Sequence, residues 1–416
     1  MIPVPPDTRP AGASTPVLVA TCALVYFLDG LVHTIMGPLA PEFAPDLGLS
    51  NAELGPIFSA NLIGQCIGLI AFPPVAARFG ERWTVGLTLA GFGIAQAATG
   101  LAGSGTALFW MRLVTGLFLG GCLPSCLAMV TAAAAPQRRG IAITALFTGY
   151  GLGATMAGMT AIAFVGLGGW RVAMAAIGLL CLASAVVALV FLRDVADPDA
   201  QAGERPPGVN PLILVSPSYR LGTLMLWLVF VSMLTISYCL SSWLPVLLVR
   251  LGYDAAFAAV ALSLFSFGGI AAALCIGLMI DRFGATRVIV ACMLISAALF
   301  LGTARILGTS SALALQAMLA LCGFFALGAY GGVNVILAGF YPHRLRSTGI
   351  GWAGGFGRIG GIVFPALGGL ALAAALPLQT IMLVTAIPAL VIAALVFALG
   401  VANGGLIDGR ARAKAG

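Results

Sequence analysis

Charge is what this 416-residue chain has least of: it has 13 acidic and 20 basic residues and 2 histidines, 8% charged against 61% hydrophobic. A soluble domain carries about 25% charged residues, so the shortage excludes an ordinary water-soluble globule and implies an integral membrane protein. No Gly-x-Gly-x-x-Gly follows a strand-like run, which removes a nucleotide site. No metal-ligand cluster and no nucleophile–base constellation stand out, so neither an enzyme nor a cofactor is expected. The nine cysteines are odd in number and sit in apolar runs, as small buried hydrophobes do, rather than forming a disulfide framework. Cys122 and Cys126 lie one turn apart, but no His or carboxylate joins them. The net charge of +7 comes from basic residues scattered over short loops, which fits membrane topology and not nucleic acid. The Pro-rich start, residues 1–16, lacks a cleavable-signal pattern.

What is present is apolar length. Roughly 20 apolar residues span a bilayer as helix, and twelve such segments can be drawn: 17–38, 53–76, 83–102, 107–133, 140–165, 170–192, 220–250, 256–280, 287–307, 312–340, 347–374 and 379–401. The expected fold is therefore all-α, with twelve transmembrane helices. The 55 glycines suit helices that approach closely in lipid. One long polar stretch, 193–219, holds Asp194, Asp197, Asp199, Glu204 and Arg205, and reads as a linker between six-helix halves over 17–192 and 220–401. With residues 1–16 and 402–416 as cytoplasmic tails, fifteen of the 20 basic residues fall on the inner side and only Arg171, Arg250 and Arg305 on the outer. That asymmetry places both termini inside.

The halves echo one another. Arg78-Phe79-Gly80 after the second span matches Arg282-Phe283-Gly284 after the eighth, and APQRRG before the fifth matches YPHRLR before the eleventh. A shift of 206 residues lays Gly149-Tyr150-Gly151 over Gly355-Phe356-Gly357. Parallel six-helix repeats around a midplane site are a transporter architecture, in which the halves rock about the substrate.

Three formal charges lie well inside the spans: Asp29, Arg112 and Arg358. An ionised side chain there costs about 2.5–3.5 kcal/mol on insertion scales, so it is paired, protonated or facing water. At about 1.5 Å per residue, Asp29 and Arg358 fall near the bilayer centre and Arg112 nearer the outer surface. They either form an interhelical ion pair that holds the bundle, or the arginines attract an anion while Asp29 takes up a proton. His33 shares the Asp29 face of span one with Cys22, Tyr26 and Met36, and either relays a proton or bonds to a neighbouring helix. Asn61, Gln65, Gln96 and Gln316 read as helix-to-helix hydrogen bonds, whereas Asn334, in the Gly-rich run GAYGGVN, is a substrate-binding candidate. Tyr26, Tyr238, Trp243, Phe325, Tyr330, Trp352 and Phe356 can stack on an aromatic ring or simply pack. In the loops, Asp281, Arg282 and Arg287 can latch the halves on the inner face, with Arg138 and Arg139 in the loop before span five. Positive-inside anchoring accounts for most of these arginines, but not for Asp281.

These residues resemble the major facilitator superfamily and, within it, the aromatic acid:proton symporter family. The family's helix-one pattern reads here Asp29-Gly30-Leu31-Val32, then Gly37, Pro41, Phe43, Asp46 and Leu47. The superfamily loop signature Gly-x-x-x-Asp-Arg-x-Gly is intact over Gly277–Gly284; over Pro73–Gly80, Ala77 replaces its Asp. Arg112 through Gly121 resembles the family's helix four, and Tyr341 through Gly360 its helix eleven. The resemblance implies proton-driven uptake of a small organic anion, an aromatic carboxylate of hydroxybenzoate type, by a monomer in a bacterial inner membrane. Candidate roles are then proton coupling for Asp29 and His33, and substrate binding for Tyr26, Arg112, Tyr330, Asn334, Trp352 and Arg358. Val32 stands where the family has a second acid, so Asp29 must act alone or with His33. An exporter of the same fold is the alternative, disfavoured because Gly149–Gly158 lacks the proline of drug antiporters.

Overall fold

The computed structural model describes residues 15–135, 138–193, 211–307, 311–374 and 378–402; the expected tails and most of the expected linker lie outside them. The first half contains α1 (Thr15–Thr34), α2 (Met36–Asp46), α3 (Asn51–Ala71), α4 (Pro73–Phe79), α5 (Glu81–Thr99), α6 (Gly105–Ala133) and α7 (Arg139–Phe191). After a short 3-10 turn (Pro211–Val215) come α8 (Arg220–Arg250), α9 (Ala255–Phe283), α10 (Ala285–Ile306), α11 (Ala312–Gly328), α12 (Tyr330–Phe340), α13 (His343–Ala373) and α14 (Leu378–Ala402). Ten helical stretches are long and apolar enough to cross a membrane. The long α7 holds two crossings, joined at Gly169, whose φ of 78° suits only glycine, and α5 supplies the remaining one. Twelve crossings result, as the hydropathy implies.

Boundaries follow local chemistry. The first crossing runs on to Asp46, interrupted at Ile35 because Pro38 has no N–H to give the Thr34 carbonyl. The second crossing stops at Ala71, since Pro73 and Pro74 start a separate helix at their own N-terminus.

The repeat is written in the turns. Gly48 and Gly252, 204 residues apart, carry φ of 62° and 88°, and Gly80 and Gly284, also 204 apart, carry 88° and 90°. A side chain would be strained at each. Helices α3 and α9 start under caps 204 residues apart: Ser50 with Glu53 in a capping box, and Asp254 accepting from the Phe257 amide. Ser104 and Ser311 cap α6 and α11 in the same way. Glycine contacts repeat too. Gly64 lies on the Leu113 carbonyl and Gly116 on that of Asn61; Gly268 lies on the Ala320 carbonyl and Gly323 on that of Phe265. Such small-residue seams let backbones touch where lipid offers no hydrophobic driving force.

The halves meet near the end marked by Gly48 and Gly252. Gly37 abuts the Ser241 carbonyl, Gly55 the Ala366 backbone and Gly158 the Ala259 carbonyl. Ser59 Oγ donates to the Ile362 carbonyl at 2.6 Å, Phe58 meets Trp243 edge-on at 5.1 Å, and Arg250 bonds to Asn51. Towards the other end, α13 borders an open recess of about 480 Å³ lined by Thr348, Trp352, Phe356 and Ile359.

Candidate functional site

Asp29 sits in the last third of α1, midway along the crossing that continues through α2, and is 1% exposed. Close contact of Gly30 with the Tyr150 backbone and of Gly153 with the Phe27 carbonyl draws α1 against the first arm of α7 and fixes the direction of this side chain. Among the described residues Asp29 has neither a hydrogen bond nor an ion pair, and its Oδ1 is buried without a partner. Arg358, on α13 of the other half, is the cation within Coulombic reach of it. The structural ion pair that the sequence leaves open is therefore not formed.

The two buried arginines differ. Arg112 is 1% exposed and held within its own half: Nη1 donates to Gln96 Oε1 at 2.6 Å and Nη2 to the Val32 carbonyl at 2.9 Å. Both acceptors are neutral, and Nε has no partner. Arg358 reaches only the Gly354 carbonyl of its own helix, at 3.4 Å, and its Nε is likewise buried and unpartnered. It lies within Coulombic reach of Tyr26, His33, Tyr238 and Tyr330, at the centre of the aromatic residues.

His33 reaches α3. Its Nδ1 is 3.2 Å from Asn61 Nδ2, and an amide nitrogen only donates, so the neutral imidazole carries its proton on Nε2. Its ring packs 4.7 Å from that of Tyr238 across the halves. Tyr26 is buried, meeting Phe147 edge-on at 5.5 Å and Tyr150 at 5.7 Å. A small enclosed chamber of about 10 Å³, room for one water, lies among His33, Asn61, Arg112, Tyr238 and Ser242.

The remaining candidates spread out. Tyr330 opens α12 and packs edge-on to Phe230 at 6.1 Å. Asn334 donates to the Tyr330 carbonyl one turn back at 3.0 Å, a bond within its own helix. Trp352 is half-exposed on the open recess, in a stack with Trp227 and Phe356. Asp281 and Arg287 are exposed at the splayed end, and Asp281 has no ion pair among the described residues. Arg282 lies over Phe283, Arg139 bonds to the Ala134 carbonyl, and Arg138 is exposed. Contacts between the halves in this conformation instead involve Asn51, Phe58, Ser59, Trp243 and Arg250.

Asn61 and Gln96 form the helix-to-helix hydrogen bonds that the sequence implies, to His33 and Arg112; sequence reasoning did not single out Ser242 or Trp227. The pairing of Asn61 and Gln96 with the two basic side chains His33 and Arg112 is the signal that was there: polar residues in lipid-embedded spans, in adjacent crossings.

The chain matches the family model of the Major Facilitator Superfamily over residues 22–263 and 250–410. It is 30% identical to a gallate transporter of Pseudomonas putida, with 95% of this chain and 94% of that one covered. It is 30% identical to the 4-hydroxybenzoate transporter PcaK of Pseudomonas aeruginosa, covering 93% and 92%. A 3-(3-hydroxy-phenyl)propionate transporter of Escherichia coli is 31% identical over 88% of this chain and 90% of its own. Among solved structures, a D-xylose-proton symporter superposes with a TM-score of 0.72 at 15% identity, covering 92% of this chain and 95% of that one. An inward-facing bacterial homolog of the human lysosomal transporter Spinster gives 0.73 at 18%, covering 92% and 96%. With its twelve crossings, its turn-for-turn repeat and these matches, the chain belongs to the major facilitator superfamily of membrane transporters.

Proposed function

We propose that this protein is a proton-coupled symporter that takes up a small aromatic carboxylate across a bacterial inner membrane. The observation that carries the reading is the pair Asp29 and Arg358: two opposite charges on different halves, within Coulombic reach of one another and without a bond between them. Burial of Asp29 without a bonded partner makes its ion costly, balanced only by the charge of Arg358, so Asp29 takes up a proton when a guest claims that arginine. Arg358 is then left to a guest anion, and in a low-dielectric site such a pair is far stronger than in water. The relatives named for gallate, 4-hydroxybenzoate and hydroxyphenylpropionate support an aromatic acid as that guest.

Charge balance supplies the coupling. With the site empty, ionised Asp29 and Arg358 neutralise one another. With both ligands bound, protonated Asp29 is neutral and Arg358 is balanced by the substrate carboxylate. Substrate alone leaves one negative charge and a proton alone one positive charge, each costly to carry through a closed intermediate. Only the empty and the doubly loaded site can rock. Arg112, held by neutral acceptors inside one half, contributes the same charge throughout.

The positive-inside asymmetry puts the sealed end outside, so this conformation opens to the cytoplasm, with both termini inside. Asp281, Arg282 and Arg287, with Arg138 and Arg139, engage when that end closes. The exporter reading has no observation in its favour.

Purified protein in liposomes with an acid exterior should accumulate labelled 4-hydroxybenzoate above equilibrium, and a protonophore should abolish the accumulation. Uptake indifferent to the gradient would overturn the reading.

A further inference from the structure

The enclosed chamber lined from α1, α2, α3, α6, α8 and α13 is not needed by the proton or by the carboxylate, and it is polar. Two of its side chains are almost wholly buried and each presents an orphan: Asn61, 3% exposed, has an acceptor Oδ1 without a donor, and Arg112, 1% exposed, has a donor Nε without an acceptor. The other polar atoms of each group are already committed. Asn61 Nδ2 is on His33, and the two Arg112 terminal nitrogens are on Gln96 and Val32. Leaving a buried polar atom unpaired costs about 1–3 kcal/mol, so a missing partner is implied at this point.

The chemistry of the orphans says what that partner is. It must donate to Asn61 Oδ1 and accept from Arg112 Nε. A carboxylate has no proton to donate and would set an oxygen lone pair against Asn61 Oδ1. A methyl or ring C–H satisfies neither. A hydroxyl does both. Ser242 and the Nε2–H of His33 border the same space and add further hydroxyl-compatible partners.

Position links the chamber to the substrate. Gly361 forms part of its wall and follows Arg358 by three residues on α13, about 4.5 Å along the helix axis. A side chain at 361 would strike the Tyr238 ring, so the wall is open backbone at that point. We infer that the chamber is a subsite that reads a ring hydroxyl: an aromatic acid with its carboxylate on Arg358 extends its ring past Tyr238 and places a phenolic hydroxyl between Asn61 and Arg112. When no substrate is bound, one water meets the same demands. This rests on the symport reading for the position of the carboxylate and adds the residues that discriminate: Asn61 and Arg112 select a hydroxylated ring over an unsubstituted or alkylated one.

The test compares 4-hydroxybenzoate with 4-methylbenzoate, which has similar size and no hydrogen-bonding group, as unlabelled competitors of gradient-driven uptake. The wild-type protein should prefer the hydroxylated acid by at least about tenfold, the loss expected when buried polar groups are left unpaired. In Asn61→Leu that ratio should fall to within about twofold of unity; a merely structural role would lower both acids together and leave the ratio intact. If Asn61→Leu does not fold, Ser242→Ala, which removes a side chain with no hydrogen bond among the described residues, should still narrow the ratio about threefold. A wild-type ratio near one, or a ratio unchanged in the folded variants, overturns the inference and leaves the chamber to water alone. If neither acid competes and no aromatic carboxylate is taken up, the symport reading itself falls and the subsite with it.

Discussion

The two halves share a frame and differ in what hangs on it. Shifted by the 204 residues that relate Gly80 to Gly284, Asp29 meets Met233, His33 meets Ser237, Asn61 meets Phe265 and Gln96 meets Phe300. By the 207 residues that relate Gly116 to Gly323, Arg112 meets Leu319. The first half thus carries a chain of polar groups where the second is apolar but for the hydroxyl of Ser237. The exception runs the other way: Arg358, shifted by 206, meets Leu152. What repeats is the machinery of close packing and turning, which both halves need in order to rock as rigid bodies. What does not repeat is the chemistry, and the proposed mechanism puts the proton site and the guest's counter-ion on opposite sides of the moving interface.

Removing the second half's buried charge should have the largest effect. Arg358→Gln should reduce uptake at least about a hundredfold, the cost of losing a buried charge-assisted bond to substrate. Its melting temperature in detergent should hardly change, because Arg358 supports nothing but a long bond to its own helix.

In the first half, Gln96→Leu should do the reverse, weakening the fold by about 3 kcal/mol by leaving Arg112 buried with only the Val32 carbonyl. Chemical denaturation in mixed micelles reads this directly. A matched pair then sharpens the contrast. Gly116→Ala and Gly323→Ala both drive a methyl into a backbone carbonyl, of Asn61 and of Phe265, and should cost a similar amount, about 2 kcal/mol each. Only Gly116→Ala should also alter which aromatic acids compete for uptake, since only there does the displaced residue border the chamber. Ser59→Ala should have the smallest effect. It deletes one bond across the sealed end, about 0.6 kcal/mol, and should shift inward–outward populations about threefold, read by alkylation of a cysteine placed at that end.

Much of this was legible in the sequence. Twelve crossings follow from hydropathy alone, and the repeat was visible in Arg78–Gly80 and Arg282–Gly284 because turns that need glycine preserve it. Asp29, Arg112 and Arg358 stood out because charge is so scarce. Their distinct roles did not, since Arg112 and Arg358 look equivalent until packing shows one tied to Gln96 and the other reaching only its own helix. The Val32 carbonyl was beyond reading, as a backbone acceptor has no side-chain signature. Asn61 makes the helix-to-helix bond its sequence position implies, to His33, but the orphaned oxygen left over depends on what fails to surround it. The sealed end was likewise hidden, because Ser59 meets a carbonyl and Gly55 meets a backbone, contacts that only three-dimensional placement reveals.

The claim on which the account turns is that Asp29 carries the coupled proton. Asp29→Asn fixes that site in the neutral state, so the charge balance is met only with substrate bound. Proteoliposomes bearing this variant should exchange labelled for unlabelled 4-hydroxybenzoate across the membrane, yet fail to accumulate it when the exterior is made acid. Accumulation driven by the pH gradient in the Asp29→Asn protein, at anything near the wild-type level, would contradict the account.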